Sequence, residues 1–381
     1  MIAKKVEQLR PSGIRAFFDL VLGMKDVISL GVGEPDFDTP WSIREKAISC
    51  LEEGYTSYTS NKGLVSLRRT LSLFLEKKYG VRYDPDNEML ITVGVSEGLD
   101  LTCRALLERG EKIIVVAPYF VAYPALVELA DGVPIILETQ QSEGFKIQPK
   151  RLQDLMNKHR PKALLVNYPN NPTGVSYTKK ELQEIWRIAK RFGCLVISDE
   201  VYDGLVYEYD HTCFASLSGA RKQTLLFGGF SKNFAMTGFR LGWVCGQAPI
   251  IAALTKIHQY SMMCAPILSQ FAGVEALRSG GPEVEKMRRE YKRRREYIVP
   301  ALNELGLTTH MPEGAFYCFP SVKKTGMDGM SFATSLLKKN RVAVVPGNAF
   351  GDSYGEFIRI SYAQPVEVLK EAVARISAFI A

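Results

Sequence analysis

Residues 228–243 contain a lysine, a serine and an arginine whose types and spacing could do chemistry. The apolar run 224–227 predicts a buried strand, and Ser231 and Lys232 follow it after two glycines. A lysine at the end of a buried strand is partly desolvated, which lowers its pKa and makes its amine nucleophilic near neutral pH. Ser231 and Arg240 could hold a phosphate beside that amine. The alternative interpretation is a solvated loop lysine and a surface arginine.

A nucleophilic lysine next to a phosphate site suggests pyridoxal phosphate, bound to Lys232 as a Schiff base. Ligands of open α/β sheets lie outside the carboxyl ends of the strands, so polar residues there are candidate contacts. Asp199 could keep the pyridine nitrogen protonated, and Tyr202 and Asn171 could donate hydrogen bonds to the phenolic oxygen of the ring. The alternatives are a helix cap for Asp199, core packing for Tyr202 and a turn position for Asn171.

Two further predicted strands are followed by residues that could bind pyridoxal phosphate. Val95 and Ser96 follow the strand 89–93 and open a helix, whose first amides are a natural seat for a phosphate. Phe120 follows the strand 112–117 and could stack on the pyridine ring. A phenylalanine in this position is also typical of simple core packing, so that alternative stays open.

Arg359 lies within the apolar run 357–362, which predicts a strand. A buried charge is costly unless it has a partner. A substrate carboxylate held by both arms of the guanidinium would be one such partner. A structural salt bridge is the alternative.

Short apolar runs alternate with helical stretches from residue 89 to residue 227. This alternation predicts an α/β fold, a mainly parallel sheet with helices on both faces. An amphipathic helix at 13–24 and an α+β tail are predicted to form a smaller domain together, joined to the larger one by a long helix at 282–304. The predicted segments are 1–45 and 286–381 for the small domain and 46–285 for the large, cofactor-binding domain. The predicted strands of the tail are 317–320, 342–345 and 357–362.

Composition excludes several classes of function. The 381 residues carry a formal charge of 48 − 41 = +7, and the basic run 288–295 is interleaved with glutamates, as on a solvated helix face rather than a nucleic-acid site. The seven cysteines are scattered and the four histidines lie far apart, which indicates reduced thiols in a cytoplasmic protein and no metal site. We expect no signal peptide and no membrane span.

The ordered motifs of this chain resemble those of a known family, the class I/II aminotransferases of fold type I that use pyridoxal phosphate. The similarity extends along nearly the whole chain and is greatest to the branch of aspartate, aromatic and N-acetyl-diaminopimelate aminotransferases. The motifs are Gly33-Glu34-Pro35-Asp36-Phe37, Tyr58-Thr59 with Gly63, Asn171-Pro172-Thr173-Gly174, Asp199-Glu200-Val201-Tyr202, Ser231-Lys232 with Arg240, and Arg359.

The resemblance implies a role for each motif residue. Lys232 would hold the cofactor as an internal aldimine, and Asp199 would pair with the pyridine nitrogen. Gly33 and Arg359 would bind the substrate α-carboxylate, with Asn171 beside them. The resemblance further implies ring-oxygen contacts from Tyr202 and Asn171, and phosphate contacts from Ser231, Arg240 and the amides of Val95 and Ser96.

The resemblance also implies a homodimer with shared active sites, because Tyr58 would reach the phosphate of the neighbouring subunit. Two positions depart from the commonest pattern of the family. Phe120 stands where an indole is frequent, and Phe239 stands where tryptophan is common before the arginine. These departures leave the catalytic set intact but put ring stacking and substrate choice in doubt.

The function predicted from these residues is amino-group exchange between an L-amino acid, with an aspartate-type donor favoured, and a 2-oxo acid such as 2-oxoglutarate. Aromatic or N-acetyl-LL-diaminopimelate donors remain open, as does a C–S β-lyase or racemase on the same cofactor. A sensor domain of a transcription regulator is disfavoured, because we expect no room for a winged helix before the small-domain segment. Specificity is expected to involve Phe17, Phe18 and the second subunit near residues 260–263.

Overall fold

The computed structural model describes residues 1–7, 9 and 24–381. Its centre is a seven-stranded sheet in the order β2-β8-β7-β6-β5-β3-β4. All strands run in the same direction except β8, which is antiparallel to both neighbours. The predicted mainly parallel sheet is therefore confirmed. Its strands are β2 (Met89–Thr92), β3 (Lys112–Ala117), β4 (Val133–Glu138), β5 (Ala163–Asn167), β6 (Leu195–Asp199), β7 (Thr224–Gly229) and β8 (Gly242–Cys245).

Helices cover both faces of this sheet. Along β5, Leu164 and Val166 pack into one apolar cluster, whereas Ala163 and Leu165 pack into another. This alternation follows from the pleat, which sends successive side chains to opposite faces. The helices of the chain are α1 (Lys4–Glu7), α2 (Trp41–Glu52), α3 (Val65–Tyr79), α4 (Gly94–Leu106), α5 (Ala122–Leu129), α6 (Pro149–His159), α7 (Lys179–Arg191), α8 (Ala248–Ser261), α9 (Ile267–Ser279), α10 (Gly281–Glu304), α11 (Gly329–Asn340) and α12 (Val366–Ile380).

Local sequence signals explain where several helices begin and end. Helix α7 begins after Thr178, whose side chain accepts a hydrogen bond from the amide of Glu181 while the Glu181 carboxylate accepts one from the amide of Thr178. Helix α3 ends at Gly80, which adopts the left-handed conformation that glycine favours. Both bounds follow from capping and apolar periodicity, which are local properties of the chain.

The tail forms two small sheets. The N-terminal strand β1 (Ile28–Ser29) pairs in parallel with β10 (Val342–Ala343). A three-stranded sheet has the order β11-β12-β9, with β9 at Tyr317–Cys318, β11 at Val345–Pro346 and β12 at Ile358–Ser361. The first pairing links the chain before α2 with the tail through hydrogen bonds. The domain boundaries at residues 45 and 285 remain a prediction, and α10 runs across the second of them.

One strand prediction was wrong in detail. The predicted strand 342–345 is divided between two sheets, because β10 pairs with β1 on one side and β11 pairs with β12 on the other. Strand β8 was not predicted, since four residues after a glycine-rich loop carry too little periodic signal.

The predicted helix at 13–24, with Phe17 and Phe18, lies outside the described residues except for Met24. No helix in the described part of the chain combines the length and apolar character needed to cross a bilayer.

Candidate active site

A cavity of about 650 Å³ opens at the carboxyl ends of β5, β6 and β7. Cofactors of open α/β sheets occupy this position. Both charged groups and aromatic rings line the cavity. The lining includes Gly31, Val32, Gly33, Glu34, Val95, Ser96, Phe120, Tyr123, Asn167, Asn171, Asp199, Val201, Tyr202, Ser231, Lys232, Thr237, Arg240, Tyr317 and Arg359.

Lys232 lies three residues beyond β7 in this cavity. Its Nζ donates a hydrogen bond to the carbonyl oxygen of Gly33 at 2.6 Å. Burial lowers the pKa of the Lys232 amine to about 8, an effect that Glu34 opposes and that Arg359 and Arg240 reinforce. A substantial fraction of the amine is therefore neutral near pH 8, which is the state that can act as a nucleophile or accept a proton.

Asp199 is the last residue of β6 and its carboxylate is buried. The Tyr123 hydroxyl donates to Asp199 Oδ2 at 2.6 Å, and the amide of Val201 donates to Oδ1 at 3.2 Å. Burial raises the pKa of the Asp199 carboxyl to about 6, and the hydrogen bond from Tyr123 limits that rise. A cation placed against this carboxylate would be strongly favoured, because its charge would offset the cost of burial.

A seat for an anion lies at the start of α4. This helix begins at Gly94 without a capping side chain, and the next residues, Val95 and Ser96, line the cavity. The Arg240 guanidinium lies against Gly94, where an added Cβ would stand 2.7 Å from Nη2. Gly242 permits the close approach of β8, since its Cβ would stand 2.6 Å from the backbone of residues 94 and 95. Free helix amides and a guanidinium together favour a phosphate.

Two tyrosines form the wall opposite this seat. The hydroxyls of Tyr202 and Tyr317 lie 2.9 Å apart, and either could donate to the other. The Tyr317 hydroxyl also lies against Gly33, where a Cβ would stand only 2.6 Å from it. A side chain at position 33 would therefore force the Tyr317 ring to shift.

Arg359 lies on β12 and is almost fully buried in the cavity wall. Its Nη1 donates to Asn171 Oδ1 at 3.0 Å and its Nη2 donates to the carbonyl of Gly31 at 2.5 Å, while its Nε is buried without a hydrogen-bond partner. The ring of Tyr317 lies 4.7 Å from the guanidinium. Among the described residues no carboxylate forms an ion pair with Arg359, so the predicted alternative of a structural salt bridge finds no partner there. A buried arginine in this state would be stabilised by an incoming carboxylate.

Eleven of the twelve residues named from the sequence as cofactor or substrate contacts line this cavity. The exception is Tyr58, whose side chain is 80% exposed and lines a neighbouring groove of about 1020 Å³ that shares Glu34 and Thr237 with the cavity. Sequence reasoning missed Tyr123 and Tyr317. The sequence pattern places Tyr123 on the apolar helix after β3 and Tyr317 on a tail strand, so only the tertiary contact with Asp199 or Tyr202 reveals them.

Pyridoxal phosphate fits this set of groups. The anion seat at α4 suits its phosphate, Asp199 suits its pyridine nitrogen, and Lys232 offers the amine that would hold its aldehyde. No cluster of potential metal ligands occurs among the described residues.

Comparisons with known proteins agree with this chemistry. Residues 25–376 match the family model for aminotransferase class I and II. The chain is 41% identical to the aspartate aminotransferase of Pyrococcus abyssi, over 98% of this chain and 97% of the other. It is 39% identical to aromatic-amino-acid aminotransferase 2 of Thermococcus litoralis, with the same coverage. The solved structure of Thermus thermophilus aspartate aminotransferase with maleate superposes with a TM-score of 0.95 at 35% identity, covering 99% of both chains.

Members of this family use pyridoxal phosphate, and their fold is the one described above. The match covers most of the chain, and the relatives share well over 30% of its residues. The chain therefore belongs to the class I and II aminotransferases and is a pyridoxal-phosphate-dependent enzyme that transfers amino groups.

Proposed function

We propose that this enzyme moves the amino group of an aspartate-type L-amino acid to a 2-oxo acid such as 2-oxoglutarate. The observation that carries the proposal is Arg359, a buried guanidinium without a described carboxylate partner, in the same cavity as Lys232. The relative from P. abyssi is named for aspartate, and the T. thermophilus structure contains maleate, a dicarboxylate.

We assign the chemical roles from the contacts of each group. Bound pyridoxal phosphate supplies an electron sink for the bonds at the substrate α-carbon. Arg359 and Asn171, which are hydrogen-bonded to each other, hold the substrate α-carboxylate in the cavity that Gly33 also lines. Lys232 then removes the α-proton, because its lowered pKa leaves the amine free to accept one near pH 8. Asp199 remains the buried anion that holds a positive charge at the floor of the cavity.

The remaining cofactor contacts are assigned by position. Val95, Ser96, Ser231 and Arg240 would hold the phosphate, and Phe120 would lie against the ring. Tyr202 and Asn171 would contact the ring oxygen. Asn171 Oδ1 already accepts from Arg359, so its Nδ2 is the group that faces the cofactor in this proposal.

We propose that the enzyme is a homodimer in which Tyr58 reaches the phosphate bound by the partner subunit. Several large apolar side chains are exposed on α2, which also contributes Arg44 and Ala47 to the groove that contains Tyr58, and at the end of α8. They are Trp41, Ile48 and Leu51 on α2, and Tyr260 and Met262 at the end of α8. Exposed apolar area of this extent is typical of an interface between subunits.

We also propose that the enzyme works in the cytoplasm. All seven cysteines are free thiols and six of them are buried. Thiols of this kind persist in a reducing compartment. Fractionation of cells that express the full-length protein would test this, and recovery with secreted or membrane proteins would contradict it.

An aromatic donor is the second candidate. The cavity lining also includes Val32, Phe120 and Tyr317, which are apolar or aromatic. No cation other than Lys232, Arg240 and Arg359 lines the described cavity. A side-chain carboxylate of aspartate would therefore need a cation from the partner subunit, whereas an aromatic ring would not.

The decisive test replaces Lys232 by alanine. We expect the variant to lose at least about 10³-fold in the rate of amino transfer, because no other described amine lies in the cavity to move the proton. Borohydride reduction of the wild-type holoenzyme, followed by peptide mass spectrometry, should place a pyridoxyl group on Lys232. Transfer at the wild-type rate by Lys232→Ala would refute the proposal.

A panel of amino donors with 2-oxoglutarate tests the substrate. Higher kcat/KM for aspartate than for phenylalanine or tyrosine would support the aspartate-type assignment. A preference for the aromatic donors would replace it with the second candidate. Release of pyruvate and ammonia from cystathionine without an oxo acid would show a lyase instead.

A further inference from the structure

The two turns that carry Tyr202 and Lys232 are not joined by the sheet. Strands β6 and β7 pair in register as far as Asp199 and Phe227, and the last backbone bond between them runs from the amide of Glu200 to the carbonyl of Phe227. Tyr202 and Lys232 both lie beyond this point. Some other contact must therefore fix the two side chains relative to each other.

That contact is made by the next residue of each turn. The Asn233 amide donates from Nδ2 to Asp203 Oδ1, and Asn233 Oδ1 accepts from the amide of Gly204 at 3.2 Å. Glycine at 204 is what lets the side chain approach, since a Cβ would stand 2.9 Å from Cγ of Asn233. The side-chain amide of Asn233 thus forms hydrogen bonds with two residues of the turn that follows β6.

The second carboxylate oxygen of Asp203, which does not bond Asn233, accepts hydrogen bonds from α3. Lys78 Nζ donates to Asp203 Oδ2 at 2.8 Å, and the Tyr79 hydroxyl donates to the same oxygen. Burial is the largest single influence and raises the pKa of the Asp203 carboxyl, but Lys78, His211 and the hydrogen bond from Tyr79 together outweigh it and lower the pKa to about 2. Asp203 therefore remains an acceptor at every pH at which the enzyme could work. Both of its partners lie at the end of α3, so the pair is fixed to a long helix.

Asp203 and Asn233 do not reach the reacting atoms. They line a separate groove of about 1070 Å³, whereas Tyr202 and Lys232 line the active-site cavity. In each turn, consecutive side chains thus face different cavities. Any effect of Asp203 or Asn233 on catalysis must pass through the backbone of the residue before it.

We propose that Asp203 and Asn233 form a clamp that sets the position of Tyr202 relative to Lys232, and that both are positioning residues for amino transfer. The proposal rests on the roles proposed above for Lys232 and Tyr202. The Lys232 amine has to meet the α-proton in a narrow range of geometry, and small displacements reduce such rates strongly. Without the clamp, no hydrogen bond among the described residues would join the two turns beyond Glu200.

The test compares Asn233→Ala, Asn233→Asp and the exchanged pair Asp203→Asn with Asn233→Asp. We expect Asn233→Ala to lower kcat on the order of tenfold to a hundredfold with a smaller change in KM. It should also shift the pH midpoint of the visible absorption change of the cofactor-loaded enzyme, which reports the surroundings of Lys232. Asn233→Asp sets two carboxylates against each other and should lose more.

The exchanged pair rebuilds the hydrogen bond with donor and acceptor reversed. We expect it to recover at least part of the kcat lost in Asn233→Asp and to return the pH midpoint towards the wild-type value. This rescue also keeps the proposal open to refutation if Asn233→Ala fails to fold.

The control is Asn303→Ala. Asn303 Nδ2 donates to the carbonyls of Val299 and Thr309, and its Oδ1 accepts from the amide of Thr309, so a comparable set of bonds is lost outside both cavities. This variant should lower Tm but leave kcat and the pH midpoint unchanged. The clamp is refuted if Asn233→Ala behaves like Asn303→Ala, or if the exchanged pair folds without any recovery. Absence of amino transfer in the wild-type enzyme would instead refute the proposed function.

Discussion

At the scale of single residues, the site joins groups whose charges are costly to bury. Burial lowers the pKa of the Lys232 amine to about 8 and raises that of the Asp199 carboxyl to about 6. Both shifts favour the uncharged form in the absence of a partner. Binding of a cofactor that carries a complementary charge offsets the cost of burying Asp199. The folded apoenzyme is therefore less stable than the cofactor-bound enzyme.

The shifted lysine leads to a prediction about the apoenzyme. The unfolded chain holds the Lys232 proton up to about pH 10.4, whereas the folded chain releases it near pH 8. The unfolded state binds more protons between these values, so stability rises with pH across this window. Replacing Lys232 by methionine should remove up to about 3 kcal/mol of that rise. Urea unfolding of both apo proteins at pH 7 and pH 9.5 measures it.

The same pair of proteins provides the control. At pH 9.5 the two should differ less in unfolding free energy than at pH 7, where the wild type keeps a buried ammonium. Parallel pH profiles for the wild type and Lys232→Met would contradict the assigned shift.

At the scale of elements, the anion seat depends on how closely β8 passes the start of α4. An alanine Cβ at Gly242 would stand 2.6 Å from main-chain atoms of residues 94 and 95. Main-chain atoms cannot move out of the way as a flexible side chain can, so β8 and the start of α4 would be forced apart. We expect Gly242→Ala to weaken cofactor binding at least about tenfold and to lower the free energy of unfolding by about 1–3 kcal/mol.

Fluorescence titration of the apoenzyme with pyridoxal phosphate and urea unfolding measure the two effects of Gly242→Ala. Gly281→Ala is the matched control, because nothing lies within 4 Å of the Cβ it would add. It should change neither quantity by much. Unaltered cofactor affinity in Gly242→Ala would contradict the assignment of the phosphate to this seat.

At the scale of the whole molecule, we expect the exposed apolar side chains of α2 to be covered by a second copy of the chain. Trp41 is 59% exposed and Ile48 is 47% exposed, and they lie seven residues apart on one face of the helix. Replacing both by aspartate should shift the enzyme from dimer to monomer, because charge on an interface core is strongly unfavourable. Light scattering during size exclusion measures the mass.

A monomer made in this way should also lose most of its activity if Tyr58 completes the partner's phosphate site. Ala374→Asp is a control with a new charge on an exposed position of α12. It should leave mass and activity unchanged. A wild-type enzyme that is monomeric at working concentration would contradict both the dimer and the shared site.

Much of this organisation could be predicted from the sequence because its causes are local. The strand 112–117 was predicted with the bounds that β3 has, since the apolar run of a strand is a property of a few neighbouring residues. The reactive lysine was recognised for a similar reason, as it follows a buried strand directly. Strand β8 is too short to show a periodic pattern of its own. Its place in the sheet follows from its antiparallel pairing with β7, which the local sequence does not reveal.

The sequence by itself therefore determined which side chains can do chemistry and on which kind of element each one lies. Tertiary structure alone decided which of them meet. Arg359 reaches Asn171 across 188 residues of sequence, Tyr123 reaches Asp199 across 76, and Asn233 reaches Asp203 from the next strand. Such contacts depend on strand order and on the paths of the turns, and both arise from packing of the whole chain. No periodic pattern within a single segment of the sequence reveals them.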